Sequence, residues 1–482
     1  MMDSSGSQRL RLASFTQGSK VSGAVDVPRS KSVAQRAVVA ALLSRGATHM
    51  EGLPSSEDVL YAIRSARAAG ATFPSAARPD DLLETALVGR RGFGQLIGAP
   101  PKGPREGSRP WATLQVGESG TAARLFTAAM ALARSEGSGA ELIPTGTLVQ
   151  RKSPALIAAL RSAGVGVEHS STGQPGSWPV MLTAATPPSV VTLENPSSSQ
   201  EVSALLMALA AHPETRSLRV VGKIPSRGYV NVTCDVLRSF GVYVSSETFG
   251  SDDQASAGES FTIQGPLVAP DLPYVIEPDA SSAAVALAAG ALSGGLGVEV
   301  LGLGTQSRQP DAAIVRLLAQ FGCDTSGSHA QRLALVGAPT KGAEIDCGAT
   351  PDAAPVLAAV GAFCALRGLG GTRLTGLGTL PGKESSRIEV LAAGLGQIGL
   401  RVEHDDRSLA IQEGRGEDRG PVVLDAHGDH RMVFAFALLS LFVENVWVKG
   451  SESVAKSWPR FWQDLARAGA EIRPDAEAPP LH

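Results

Sequence analysis

Apolar positions along this chain fall into two alternating rhythms. Runs rich in Ala, Val and Leu, such as SVAQRAVVAALL from Ser32, carry apolar residues three and four apart and predict helices. Shorter β-branched runs such as SLRVVG and VEVLG have the length and composition of strands. Their alternation predicts an α/β (α+β) chain. One unit recurs: an apolar helix, a Gly turn, a short strand, a polar loop, a second helix, then a small residue, Gly and another strand.

The second helices are DVLYAIRSARAAGATF, PALIAALRSAGVGVEH, VTCDVLRSFGVYVS, AAIVRLLAQFGCDT, IEVLAAGLGQIGLRVE and FWQDLARAGAEI. Their marker glycines, Gly70, Gly164, Gly241, Gly322, Gly399 and Gly469, are 94, 77, 81, 77 and 70 residues apart. That spacing is too long for a solenoid of helix pairs and suits a small α/β unit. Six copies divide into two domains of three, with the break near YVIEPDASSAA (274–284). The first strand, up to Pro28, is expected to pair with the second half, giving one domain of 29–277 and one of 1–28 plus 278–482. PPKGPREGSRP (100–110) reads as a surface insertion and APTKGAEI (338–345) as a turn between strands.

Composition narrows the functional classes. A net charge of −3 offers no general basic field for nucleic acid, so any anion site must be local. The four cysteines are far apart and lack CxxC or His-paired spacing, which argues against a disulfide framework or a zinc site. No apolar run approaches the roughly 18 residues of a membrane span, and MMDSSGSQRLRLAS lacks the apolar core of a signal peptide. A cytoplasmic protein is expected. With 54 Gly and 5% aromatics, its helices should be small-residue helices packed closely on sheets.

The candidate chemistry sits at helix starts. VPRSKSVAQRA crowds Arg29, Lys31 and Arg36 around an N-terminus, where each cation costs roughly 0.3–1 kcal/mol against the helix dipole. A bound anion would offset that cost. GESGTAARLF brings Gly120, Thr121 and Arg124, and SSSQEV brings Ser198, Ser199 and Gln200. PGKESSR brings Lys383, Glu384 and Arg387; HGDHRM brings Asp429, His430 and Arg431; and Lys456 precedes FWQDL. Each has a plainer reading when taken singly. The serines also serve as N-caps, GESGT lacks the lysine of a Walker loop, and Glu384 fits a solvated helix ion pair. Asp425, His427 and Asp429 alternate as on one strand face, as surface polar residues do, although a metal would also use them. Repetition at six starts favours a cleft for small, multiply anionic ligands.

In this order, SKSVAQR, GESGTAAR, SSQ, SRGY, EPDASS, PDAA, KESSR, DHRM and AKSWP resemble the enolpyruvyl transferase family, and within it the EPSP synthases (3-phosphoshikimate 1-carboxyvinyltransferases). The resemblance spans nearly the whole chain. It implies a two-domain inside-out α/β barrel with six βαβαββ-type repeats, three per domain, closing around ligands. It also implies a cytoplasmic monomer in aromatic amino acid biosynthesis. Such an enzyme transfers the enolpyruvyl group of phosphoenolpyruvate to the 5-hydroxyl of shikimate 3-phosphate and releases phosphate, without metal or organic cofactor.

Carried over by motif, Ser32 and Arg36 would bind the shikimate carboxylate, and Ser198, Ser199, Ser226 and Tyr229 its phosphate. Asp352 and Lys383 would meet ring hydroxyls, with Asp352 taking the 5-hydroxyl proton. Arg387 and Arg431 would hold the phosphoenolpyruvate carboxylate, and Lys31, the Gly120 backbone, Gln200 and Lys456 would face its phosphate. Lys31 and Glu384 would move the proton at the methylene carbon. Lys31, Asp352, Glu384 and Lys456 therefore form the expected catalytic set.

The chain also departs from that pattern. Ser153 is read at the place where the family has an arginine for the phosphoenolpyruvate phosphate, with Arg151 and Lys152 as the nearby candidates to reach in from other positions. Arg29 stands where it has glycine, and is expected to compensate. Thr379, Ser386, Glu118 and Ser119 differ as well. Two alternatives stay open on the sequence: a divergent transferase with another acceptor, and a non-catalytic binder of shikimate 3-phosphate. The related transferase with a reactive loop cysteine is disfavoured, because no cysteine precedes Cys234.

Overall fold

The computed structural model describes residues 12–71, 93–97, 111–169, 176–250, 257–414, 420–473 and 477–479. The insertion read at 100–110 lies outside them. The chain divides into two compact units, Arg29–Glu277 and Met1–Pro28 with Pro278–His482.

In Arg29–Glu277, three helices, Lys31–Leu43, Gly120–Leu132 and Ser199–Leu209, pack on one another. They are apolar nearly all round, and in Gly120–Leu132 every residue except Thr121 is buried. Helices of that composition belong at the centre of a domain. Each starts at a serine, Ser30, Ser119 or Ser198, whose hydroxyl accepts a backbone N–H of the first turn. Each such cap contributes about 1 kcal/mol. One sheet places Trp111–Gly117, Gly139–Pro144, Val180–Thr183 and Gly166–His169 side by side, the first pair parallel and the others antiparallel. The chain order there is strand, helix, strand, helix, strand, strand. The same order runs from Val190–Glu194 to Gly258–Gln264 and, in the other unit, from Glu344–Asp346 to Ser408–Gln412.

The second unit has its own trio of buried helices, Ala280–Leu292, Ala354–Leu366 and His430–Ser440. Small residues let them lie against strands. A Cβ on Gly290 would stand 2.3 Å from Val298 Cγ2, and one on Gly361 2.8 Å from Thr372 Cβ, so only glycine allows that approach. The N-terminal segment belongs to this unit. Gly23–Ala24 runs parallel to Val298–Leu301, and Leu12–Ala13 antiparallel to Val446–Lys449.

The six marker glycines share one physical cause. Each ends the second helix of its stretch with φ between 78° and 109°, the left-handed conformation that closes a helix and that side chains resist. The stretch at 338–345 connects the strands Arg332–Leu335 and Glu344–Asp346. Among the described residues no helix is long and apolar enough to cross a membrane.

Candidate active site

In Arg29–Glu277 the polar groups gather at the starts of the three central helices. Lys31 pairs with Asp58 at 2.9 Å. Arg36, only 1% exposed, donates from Nε to Thr233 Oγ1 at 2.7 Å and from Nη1 to the Ser32 carbonyl at 2.9 Å, with Nη2 3.5 Å from Ser203 Oγ. Arg124, also buried, donates from Nε to Ser153 Oγ at 2.7 Å. Its Nη1 donates to the Gly120 carbonyl at 3.0 Å and to Gln200 Oε1 at 2.9 Å. Gln200 Nε2 in turn donates to Thr121 Oγ1 at 2.9 Å. Burial lowers both guanidiniums to about 10. Their hydrogen-bond partners are hydroxyl, carbonyl and amide oxygens, and at Arg124 the Glu201 carboxylate partly opposes the lowering from outside that shell, so their charge is solvated by dipoles rather than cancelled by a direct ion pair.

The second unit is arranged differently. Asp352 receives Arg387 Nη1 at 2.8 Å, Arg431 Nη2 at 3.3 Å and Lys383 Nζ at 3.4 Å. Arg387 also grips Asp429 with Nε at 2.8 Å and Nη2 at 3.2 Å. Glu384 lies 3.1 Å from His430 Nδ1 and 3.5 Å from Lys456 Nζ. Burial pushes the Asp352 and Glu384 carboxyls up, yet the cations around them win and hold both well below the usual range. For Arg387, burial is outweighed by Asp429 and Asp352, and its pKa is raised. Burial leads in lowering Lys383. Asp311, hydrogen-bonded by Ser281, is raised to about 6 by burial, with Asp352 adding to the shift.

Each sequence-predicted residue thus has a defined place within its own unit. Lys31, Ser32, Arg36, Gly120, Ser198, Ser199 and Gln200 lie at the central helix starts of one unit. Ser198 caps its helix, with Glu201 closing the capping box. Ser226 has a φ of 50°, and Tyr229 lies in the first turn of Gly228–Ser239, where its carbonyl accepts from Thr233. Asp352, Lys383, Glu384, Arg387, Arg431 and Lys456 form one network in the other unit.

Two expectations need correction. Arg29 does not join the group around Ser153: its Nη1 donates to the Ile276 carbonyl at 3.3 Å and its stem lies over Gly52. Asp425, His427 and Asp429 do not share a strand face, since the strand ends at Asp425, His427 turns with φ 49°, and Asp429 caps the next helix. Glu384, Asp429 and His430 bring possible ligand atoms within 4.8 Å of one another. Their carboxylates already face Arg387 and Lys456, which makes the set an ion-pair network.

Sequence reasoning missed Asp58, Ser203, Thr233 and Asp311. The first three are single polar residues inside helices, and only packing brings them to Lys31 or Arg36. Asp311 had a signal. It lies in a second PDAA that opens a 3-10 turn as Asp352 does.

The chain matches the EPSP synthase (3-phosphoshikimate 1-carboxyvinyltransferase) family over residues 15–465. It is 32% identical over 456 residues to the 3-phosphoshikimate 1-carboxyvinyltransferase of Methanopyrus kandleri, covering 94% of this chain and 97% of that protein. The enzyme of the same name from Rhizobium leguminosarum bv. trifolii is 31% identical over 470 residues, covering 95% and 97%. Among solved structures, EPSP synthase from Acinetobacter baumannii shares the fold with a TM-score of 0.70 at 23% identity, covering 96% of this chain and 99% of that one. The enolpyruvyl transferase NikO from Streptomyces tendae does so with a TM-score of 0.69 at 18% identity, covering 96% and 98%. Matched across both units and carrying both polar networks, the chain belongs to the EPSP synthase family.

Proposed function

We propose that this protein transfers the enolpyruvyl group of phosphoenolpyruvate to the 5-hydroxyl of shikimate 3-phosphate, releasing phosphate. The observation that carries the reading is the cluster of Lys383, Arg387 and Arg431 on the single carboxylate of Asp352. Together with membership of the family, this cluster supports Asp352 as an ionised acceptor for the hydroxyl proton. Held well below its usual range, Asp352 is a weak base while the three cations are its own. A substrate carboxylate drawing on Arg387 and Arg431 would return basicity to Asp352 as the complex assembles.

Proton transfer at the methylene carbon divides between two groups in this reading. The Lys31 ammonium gives a proton to the CH₂ carbon, which makes the adjoining carbon open to attack by the hydroxyl oxygen. Glu384, kept ionised by His430 and Lys456, accepts a methyl proton as phosphate leaves. Gly120, Gln200 and Lys456 face the phosphate and stabilise its growing charge. Ser32 and Arg36 hold the shikimate carboxylate, Ser198, Ser199, Ser226 and Tyr229 its phosphate, and Lys383 a ring hydroxyl. The reading extends to a cytoplasmic monomer with inside-out barrel domains of three repeats each, bounded at residues 28 and 278. Three stretches in strand, helix, strand, helix, strand, strand order support the repeats.

Phosphate release is the test. It should require both substrates together, and a folded protein that releases none would refute the reading. Turnover with a different alcohol in place of shikimate 3-phosphate would keep the reaction and change the acceptor.

A further inference from the structure

A second acid acts on Arg431 besides Asp352. It is Asp311, only 2% exposed, in a PDAA turn that repeats the one around Asp352. Two contacts fix that turn against the start of the helix Ala280–Leu292. The Gln309 amide donates from Nε2 to the Pro278 carbonyl at 2.8 Å and accepts the Ala280 N–H at 3.1 Å. Asp279 caps the same helix, accepting the Ser282 N–H at 2.8 Å. Ser281 is thereby held between Asp311 and Arg431.

The direction of the hydrogen bonds is informative. Ser281 donates its one hydroxyl proton to Asp311 Oδ2, which leaves the lone pairs of Oγ to face Arg431. Arg431 Nη2 donates to that oxygen at 3.2 Å and to Asp352 Oδ2 at 3.3 Å, while Nη1 donates to the Asp352 carbonyl at 3.1 Å. Nη2 is thus shared between a carboxylate that an incoming anion would displace and a neutral hydroxyl that it would not. A second carboxylate in direct contact would compete with the ligand for the cation. Set back behind a hydroxyl, Asp311 polarises Ser281 and attracts the guanidinium without forming an ion pair that the ligand must break. Burial raises the Asp311 carboxyl most, and Arg431 and the Ser281 hydroxyl both oppose that rise. A plainer role for the pair would be to tie the turn to the helix, and stability would then carry the effect.

We propose that Asp311 and Ser281 are positioning residues for Arg431, holding its guanidinium in place while the carboxylate of phosphoenolpyruvate displaces that of Asp352. The assignment rests on the reading of the chain as a phosphoenolpyruvate-dependent transferase.

Steady-state kinetics on the full chain test it. Ser281→Ala should raise the KM for phosphoenolpyruvate about 5- to 30-fold and leave kcat, the KM for shikimate 3-phosphate and the melting temperature near those of wild type. Ser281→Thr restores the hydroxyl and should recover most of the loss. Asp311→Asn replaces a pure acceptor by an amide that can also donate to Ser281, and should raise the same KM. Both changes act through one hydroxyl, so Ser281→Ala with Asp311→Asn should be no worse than Ser281→Ala alone, whereas independent effects would multiply. If Asp311→Asn does not fold, the two Ser281 variants decide. A KM within about twofold of wild type in Ser281→Ala, an equal loss in Ser281→Thr, or multiplied losses in the double variant overturns the proposal. Nitrogen NMR of the arginine side chains, with Arg431 assigned through Arg431→Lys, is independent of turnover. Rotation about the Arg431 Nε–Cζ bond should be slow in wild type and faster in Ser281→Ala. If wild type turns over neither substrate and that contrast is found, the transferase reading fails and the positioning of Arg431 stands. Equal rotation in the two proteins refutes the positioning whatever the turnover.

Discussion

The two units bury their arginines in opposite company. In Arg29–Glu277, Arg36 and Arg124 are answered by hydroxyls, carbonyls and an amide, whereas in the other unit Arg387 and Arg431 are answered by Asp352 and Asp429. The pKa values follow: burial takes the first pair to about 10, while carboxylates overcome burial and raise Arg387. A cation solvated by neutral dipoles keeps its charge for a ligand. A cation already paired cannot bind an anion without loosening its own carboxylate. The first arrangement suits holding phosphate and carboxylate groups. The second suits coupling ligand arrival to the basicity of Asp352 and Glu384. Lys31 differs from Arg36 and Arg124 in being paired with a carboxylate, that of Asp58, and it is the residue of that unit to which proton transfer is assigned.

Breaking the paired network should have the largest effect. Asp352→Asn leaves three cations without their shared carboxylate and removes the proposed proton acceptor. A loss in kcat of about 100-fold or more is expected with both substrates saturating, measured as phosphate release on protein whose circular dichroism is unchanged. In the other unit, Arg124→Gln should act on binding. The cost of about 2–5 kcal/mol for losing a desolvated charge contact should appear mainly in the KM for phosphoenolpyruvate, with the KM for shikimate 3-phosphate spared. If Arg124→Gln lowered only kcat, or Asp352→Asn raised only KM, the contrast between the units would be wrong.

How much of this was legible beforehand depended on whether a residue's role is local or arises from packing. The marker glycines could be read because each is a helix terminus that requires positive φ, and a terminus is encoded within a few residues. Ser30, Ser119 and Ser198 were legible as caps for the same reason. Arg29 was misread because its destination, the carbonyl of Ile276, lies 247 residues away in sequence. Which cations would be paired and which solvated by dipoles was hidden entirely, because Thr233 and Ser203 meet Arg36 only through helix packing.

Gly120→Ala sharpens the comparison with a smaller effect. The added methyl would stand 2.7 Å from Arg124 Nη1, closer than real contacts allow, while the end of a flexible side chain can give way. The guanidinium is expected to shift and the helix to remain. The KM for phosphoenolpyruvate should rise about 5- to 20-fold, less than for Arg124→Gln, since the charge is displaced and not removed. The melting temperature should stay within a degree or so of wild type. A large loss of stability would show that Gly120 serves the fold and not the phosphate its backbone is proposed to face.

The smallest effect concerns pH. Asp311 is a carboxyl of the ion-pair network's surroundings that burial has moved upward, to about 6, against about 3.9 in an unfolded chain. Between those values the folded protein holds a proton that the unfolded chain has released, so this group's contribution to stability falls as pH rises from about 4 through 6. Asp352 and Glu384 act in the opposite direction: held low by their cations, they contribute stability above about pH 4 that is lost on acidification. Asp311→Asn removes only the first trend. The variant's melting temperature relative to wild type should therefore rise by a few degrees between pH 4.5 and 7.5, and the difference should level off above pH 7, where Asp311 is ionised in both states. A difference that stays flat across that range would mean Asp311 is already ionised in the folded protein, its neighbour Arg431 outweighing burial there as three cations together do at Asp352.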